Sequence, residues 1–318
     1  MIFFIFCLRA LAACLITNAH YTHIYPLEII ANGGLLGDVI FFAVSGYCLS
    51  HVKLKFSKWY GKRLLRCYVP VLIATLVYFM VGAYTTEEYS LFWWFVYPTG
   101  YHFIASIVVL YIPFYFLMKY FGTEKKLLLS LGILATVQLC VYLIFYDKSF
   151  YHIDNVRQPM IRLLFFGAMI LGAWFRRKDA RIRGHFSKLS AVGTAFFAGL
   201  YFASKMLFSK GMLPYSLQIL NQYILFGFLF CVFRLFAGLD NSLNRLPLWG
   251  KKVISFLSDR TLEIYVVQYA IIDWLRPVGS FPLNWLLITV SIVLGATVLH
   301  WICGAVFRFL KISDRNKD

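Results

Sequence analysis

Residues 127–146 read LLLSLGILATVQLCVYLIFY, twenty residues without a charge. At 1.5 Å per residue, a helix of that length covers about 30 Å, the thickness of a bilayer's hydrocarbon core. Its polar members Ser130, Thr136 and Gln138 do not gather into the stripe that a soluble core helix presents to water. Lys125 and Lys126 stand just before it and Asp147 just after. Basic residues mark the cytoplasmic flank of a span, so the segment reads as a transmembrane helix entered from the cytoplasmic side.

The pattern recurs outward from there. Ten apolar runs can be laid out, at about 2–19, 34–51, 67–84, 101–118, 127–146, 160–175, 189–208, 216–236, 259–276 and 284–307. Of the 318 residues 61% are hydrophobic and 14% charged, against about 25% charged in a soluble chain. The expected fold is all-α: one polytopic transmembrane helix bundle over 1–318, with about ten spans and no appended soluble domain. Leu11-Ala12-Ala13-Cys14 looks like a lipoprotein cleavage box, but no basic region precedes the apolar stretch, so it is read as part of a retained first span. The seven cysteines form no CxxC pair and read as small buried hydrophobes.

The net charge of +17 admits a nucleic-acid partner only until its placement is considered. One connection holds Lys53, Lys55, Lys58, Lys62, Arg63 and Arg66, and others hold Lys119, Lys125 and Lys126, then Arg176, Arg177, Lys178, Arg181, Arg183 and Lys188. Arg245, Lys251 and Lys252 follow, with Lys311, Arg315 and Lys317 in the tail. The alternate connections are poor in bases and carry Glu28, Glu87, Glu88, Asp147 and Asp154. This alternation predicts both termini on the cytoplasmic side and no nucleic-acid role.

Ionisable groups inside spans are expensive and point to function. Arg9 and His20 are eleven residues apart, which places them on one helical face about 16 Å apart along the axis. Such a face suits an extended ligand, and His20 is the natural general base near neutral pH; the plain alternatives are an anchoring Arg and an interfacial His. Arg63 and Arg66, at i and i+3 beside Lys62, form a guanidinium pair suited to phosphates or to lipid headgroups. Asp38 precedes Phe41-Phe42-Ala43-Val44-Ser45-Gly46-Tyr47, where Ser45-Gly46 can simply let two helices approach closely. Glu263, Tyr265 and Gln268 fall in the ninth run.

Together these motifs resemble the membrane-bound acyltransferase family 3, the O-acyltransferases of bacterial surface glycans. The family's L-R-x-L-A-A…H opening is Leu8-Arg9-Ala10-Leu11-Ala12-Ala13…His20 at the same spacing. Its G-V-D-x-F-F-x-x-S-G-F/Y span is Gly37-Asp38-Val39-Ile40-Phe41-Phe42-Ala43-Val44-Ser45-Gly46-Tyr47, with V and D exchanged. Its R-x-x-R followed by Pro is Arg63, Arg66 and Pro70. Its late I-Y-L-x-H segment is similar to Ile264-Tyr265-Val266-Val267-Gln268, with Gln where His is common.

The resemblance implies acyl transfer, most naturally of acetyl from acetyl-CoA, to a hydroxyl of a cell-surface or lipid-linked glycan by an integral multi-pass protein of the cell membrane. Acetyl-CoA is then a co-substrate, with no bound cofactor and no metal; the partners are the glycan or lipid-linked sugar and membrane lipid. His20 is the implied catalytic residue, as general base or as acyl carrier. Arg9, Lys62, Arg63 and Arg66 would hold the donor, with Asp38, Phe42, Ser45, Gly46, Glu263 and Tyr265 in support. A glycan-precursor transporter or flippase is the rival reading. It predicts inverted repeats, and the sequence has none.

Overall fold

The computed structural model describes residues 2–87, 89–96 and 101–310. Glu88, Lys311, Arg315 and Lys317, counted above among the loop charges, lie outside the described residues. Among the described residues there are fourteen α-helices and no strand. They are α1 (Phe3–Ala19), α2 (Gly34–Leu49), α3 (Phe56–Met80), α4 (Leu91–Phe95), α5 (His102–Phe121), α6 (Glu124–Phe145), α7 (Ile161–Arg177), α8 (Asp179–Ile182), α9 (Lys188–Ser209), α10 (Leu220–Gly238), α11 (Asp240–Leu243), α12 (Leu248–Asp259), α13 (Thr261–Leu275) and α14 (Leu283–Phe309).

Seven helical segments, those containing α2, α3, α5, α6, α9, α10 and α14, are long and apolar enough to cross a membrane, and α1 is a shorter apolar helix. Helices α7 and α13 have 17 and 15 residues. Each of the ten apolar runs of the sequence overlaps one of these ten helices. The largest shift is in α3, which starts at Phe56 rather than near 67, so Lys58, Lys62, Arg63 and Arg66 lie within the helix and not in a loop. Lys and Arg are good helix formers, and their long stems lie along apolar surface while the charge reaches water. Leu129, Ile144, Leu189 and Val192 on α6 and α9 are 63–81% exposed, an outward apolar surface that a water-soluble protein rarely carries and that lipid covers.

The chain divides into two compact units. The first comprises 1–12, 35–53 and 110–255. Its helices α2 and α7 meet backbone to backbone. A Cβ on Gly46 would fall 1.9 Å from the Met169 carbonyl oxygen, and one on Gly172 would fall 1.8 Å from that of Ala43. Helices α9 and α10 approach over Gly193, against the Cys231 Sγ, and Gly227, against the Phe197 ring. Small residues at such crossings let dispersion contacts hold helices together where the hydrophobic effect is absent.

The base-rich connections of this unit converge at one end. Arg177 donates from Nε to the Gly122 carbonyl (2.8 Å) and from a terminal nitrogen to that of Ser50 (3.2 Å). Lys178 pairs with Glu124 at 2.8 Å. The Gly184 amide bonds to the Ala237 carbonyl, and Asp240 accepts from the Phe4 amide at the start of α1 (2.9 Å). A carboxylate there satisfies a free helix N–H and complements the helix dipole.

The second unit comprises 13–34, 54–109 and 256–318. It contains α3, α4, α13 and α14, with the end of α1 and the start of α5. Its interior is aromatic: Tyr84 stacks on Trp94 at 4.3 Å, and Tyr78 donates to the Val267 carbonyl at 2.8 Å.

Candidate functional site

Helix α1 stops at Ala19, and the way it stops positions His20. The His20 amide turns to the Thr17 carbonyl (3.0 Å) instead of continuing the helical pattern. The Ile16 carbonyl is thereby left without its helical donor, and the His20 ring takes it through Nδ1 at 2.7 Å. Asn18 fixes the exit of the chain. Its amide donates to the Ile30 (2.7 Å) and Asn32 (3.0 Å) carbonyls, and its oxygen accepts from the Tyr25 hydroxyl (2.8 Å).

A carbonyl can only accept, so Nδ1 carries the proton of the neutral ring and Nε2 keeps its lone pair. Burial pushes the His20 pKa below the ordinary imidazole value, outweighing the opposing pull of the Ile16 bond and of Asp273. Neutral imidazole with a basic Nε2 is the form that can accept a proton from a hydroxyl or attack a carbonyl carbon.

Helix α13 forms the wall beside the ring. Gln268, fully buried, accepts from Thr17 Oγ1 at 2.8 Å and brings its amide nitrogen to 3.4 Å from His20 Nδ1. Tyr269 meets the imidazole edge to face at 4.9 Å. Tyr265 lies 5.5 Å from Tyr269, and fully buried Tyr101 lies 5.7 Å from it. Phe103 packs on Tyr265 at 5.3 Å, and the Tyr101 and Tyr84 hydroxyls are bonded at 3.0 Å. Glu263, one turn earlier and 1% exposed, is bonded through Oε1 to His300 Nδ1 on α14 at 2.8 Å. His300 thus meets the need of a membrane-buried carboxylate for a partner.

The second unit therefore brings His20 and Tyr265 into one aromatic cluster and carries Glu263, Lys62, Arg63 and Arg66. Arg63 lies over the Trp59 ring at 5.8 Å, and its Nε is buried with no hydrogen-bond partner among the described residues. An unmet guanidinium N–H is costly to keep and is a ready donor to an anion. The first unit carries Arg9, Asp38, Phe42, Ser45 and Gly46. Arg9 is half-buried on α1, and Asp38 is buried in α2. Phe42 stacks on Phe165 at 4.2 Å. Gly46 has the structural part already described, holding α2 against α7.

Sequence reading missed four contributors: the Ile16 carbonyl, Thr17, Tyr269 and His300. Only Tyr269, next to Gln268 in the motif, carried a signal. The other three depend on where α1 ends and on which helices meet.

The acyltransferase 3 family model, described as an acyltransferase domain, matches residues 2–305. No curated protein and no solved structure matches the chain significantly. The family match covers nearly the whole chain, and with the apolar helices it makes this a membrane protein with an acyltransferase domain. The chain belongs to the membrane-bound acyltransferase family 3.

Proposed function

We propose that the chain transfers an acetyl group from acetyl-CoA to a hydroxyl of a cell-surface or lipid-linked glycan, with His20 as the catalytic residue. The observation that carries this reading is the His20 ring itself. It sits in an acyltransferase domain with Nδ1–H committed to the Ile16 carbonyl and Nε2 left basic. Nε2 removes the sugar hydroxyl proton as the oxygen attacks the thioester carbonyl. The C–S bond then breaks and coenzyme A leaves as the thiol, taking that proton. In the two-step variant, Nε2 attacks the thioester carbonyl and expels the coenzyme A thiolate; the sugar oxygen then attacks the carbonyl of the acyl-imidazole, gives its proton to the thiolate and displaces the imidazole.

Arg63, with Lys62 and Arg66 on the same helix, holds the coenzyme A phosphates. The buried, unmet Nε–H of Arg63 supports this assignment. Arg9 guides the donor; Asp38, Phe42, Ser45 and Gly46 support the first unit, and Glu263 and Tyr265 support the second. The ten helices cross the cell membrane ten times, with both termini and the base-rich connections in the cytoplasm. The clustering of those connections at one end of the first unit favours this arrangement.

The test is release of free coenzyme A thiol by the purified, lipid-reconstituted protein supplied with acetyl-CoA and unacetylated surface oligosaccharide. Thiol release that depends on the oligosaccharide and is lost in His20→Ala supports the reading. Equal release by the variant overturns it.

A further inference from the structure

The connection between α6 and α7, residues 146–160, is held by buried amides of α10 and the turn before it. Gln218 Oε1 accepts from the His152 and Ile153 amides, each at 3.0 Å, and its Nε2 donates to the Phe150 carbonyl at 3.0 Å. Gln222 donates to the Ile153 carbonyl at 3.1 Å and accepts from Gln138. The loop therefore has a fixed shape.

Within it, Asp154 Oδ2 accepts from the Tyr151 hydroxyl, the Tyr201 hydroxyl (3.2 Å) and Asn221 Nδ2 (3.3 Å). Asn221 Nδ2 also donates to the Tyr151 hydroxyl at 2.7 Å. Those donations fix the amide orientation, because the reverse would aim an oxygen at a carboxylate. Two acceptors remain. Asp154 Oδ1 and Oδ1 of the fully buried Asn221 are buried and have no hydrogen-bond partner among the described residues. Unmet buried acceptors are costly to keep, and what they call for is a donor.

The donor is more naturally a hydroxyl than a cation, because Lys205 already supplies a positive charge to Asp154. Aromatic rings stand on the same connection as Asp154. Phe150, His152 and Tyr146 stack nearly parallel at 4.1 and 4.7 Å, Phe150 is 53% exposed, and Tyr151 stacks on Phe208 at 5.5 Å. Carboxylate and amide oxygens for hydroxyls, beside rings for the C–H face of a pyranose, are the chemistry that recognises a sugar.

We infer that Asp154 and Asn221, with Tyr151 and the Phe150–His152 stack, form a carbohydrate-binding site that takes hydroxyls of the glycan acceptor; this rests on the reading that the chain acylates a glycan. The test uses the full chain in phospholipid nanodiscs and, as probe, the oligosaccharide released from the surface glycan of a strain lacking the gene. Asp154→Asn is isosteric and converts one unmet acceptor into a donor; Phe150→Ala removes an exposed ring without opening the core. Both variants should raise the Kd for the oligosaccharide and the acceptor KM at least about tenfold, without moving the KM for acetyl-CoA or the Tm. Wild-type Kd and acceptor KM in both variants, or no binding by the wild-type protein, overturns the site. Acetylation that survives His20→Ala while the oligosaccharide still binds in an Asp154-dependent way overturns the catalytic reading and leaves the site standing.

Discussion

His20 Nδ1 lies 2.7 Å from the Ile16 carbonyl oxygen, a bond made possible by the end of α1 one residue earlier. It joins local backbone geometry to chemistry, because the same carbonyl that cannot find a helical donor selects the tautomer whose Nε2 is basic. His20→Gln retains a hydrogen-bonding side chain but no base. Loss of general-base assistance is worth about 10²- to 10⁴-fold in rate, so kcat with saturating acetyl-CoA and glycan should fall by at least about a hundredfold, with the protein still present in the membrane.

The pH profile follows from burial. The catalytic form is neutral imidazole, and burial lowers the His20 pKa, so the neutral form persists below the ordinary value, which is about 6.5. Activity should therefore hold constant as pH falls from 7.5 through about 6.5 and decline only at lower pH. A kcat/KM profile already halved at the ordinary imidazole pKa would contradict this environment.

Gln268→Leu removes the acceptor of the Thr17 hydroxyl and one side of the His20 pocket. Hydrogen bonds between membrane helices are worth about 0.6 kcal/mol on average, so the Tm in detergent should drop only slightly. The larger effect should be on kcat, because the imidazole loses the buried side chain packed beside it. A wild-type kcat for this variant would show that Gln268 is only a packing residue.

Arg63→Ala and Arg63→Lys should behave alike. Lysine restores the charge but not the planar fork or the Nε–H. Both variants should raise the KM for acetyl-CoA about tenfold or more, as expected for losing a charge-assisted hydrogen bond, while the acceptor KM stays put. Rescue by Lys would mean that only charge matters.

Gly46→Leu and Gly172→Val each force a side chain into the facing helix backbone, which lies under 2 Å from the new Cβ. Overpacking costs typically about 1–3 kcal/mol, and a backbone collision cannot be relieved by rotamer change. Both variants should show a lower Tm and a lower yield of folded protein, read by fluorescence-detected size-exclusion chromatography.

Much of the helix framework was legible because apolar length survives in the sequence: the run at 2–19 is the helix Phe3–Ala19, and that at 284–307 is Leu283–Phe309. The start of α3 was not, because Lys58, Lys62, Arg63 and Arg66 lower local hydropathy without breaking the helix. The short helices α4, α8 and α11 carry too few residues for a periodic signal. Of the site, His20 and Arg63 stood out as charges beside or between apolar runs. The Ile16 carbonyl could not, since a backbone group becomes available only once the helix end is known. Asp154 and Asn221, 67 residues apart, needed the fold to bring them together.

The most direct measurement is the O-acetyl content of the surface glycan, read by mass spectrometry, in a gene-deletion strain complemented with wild-type or His20→Ala protein at matched membrane levels. Acetate restored by the wild type and absent with His20→Ala is the predicted result. Equal acetate with both proteins, or no change in acetate on deletion, would contradict the account.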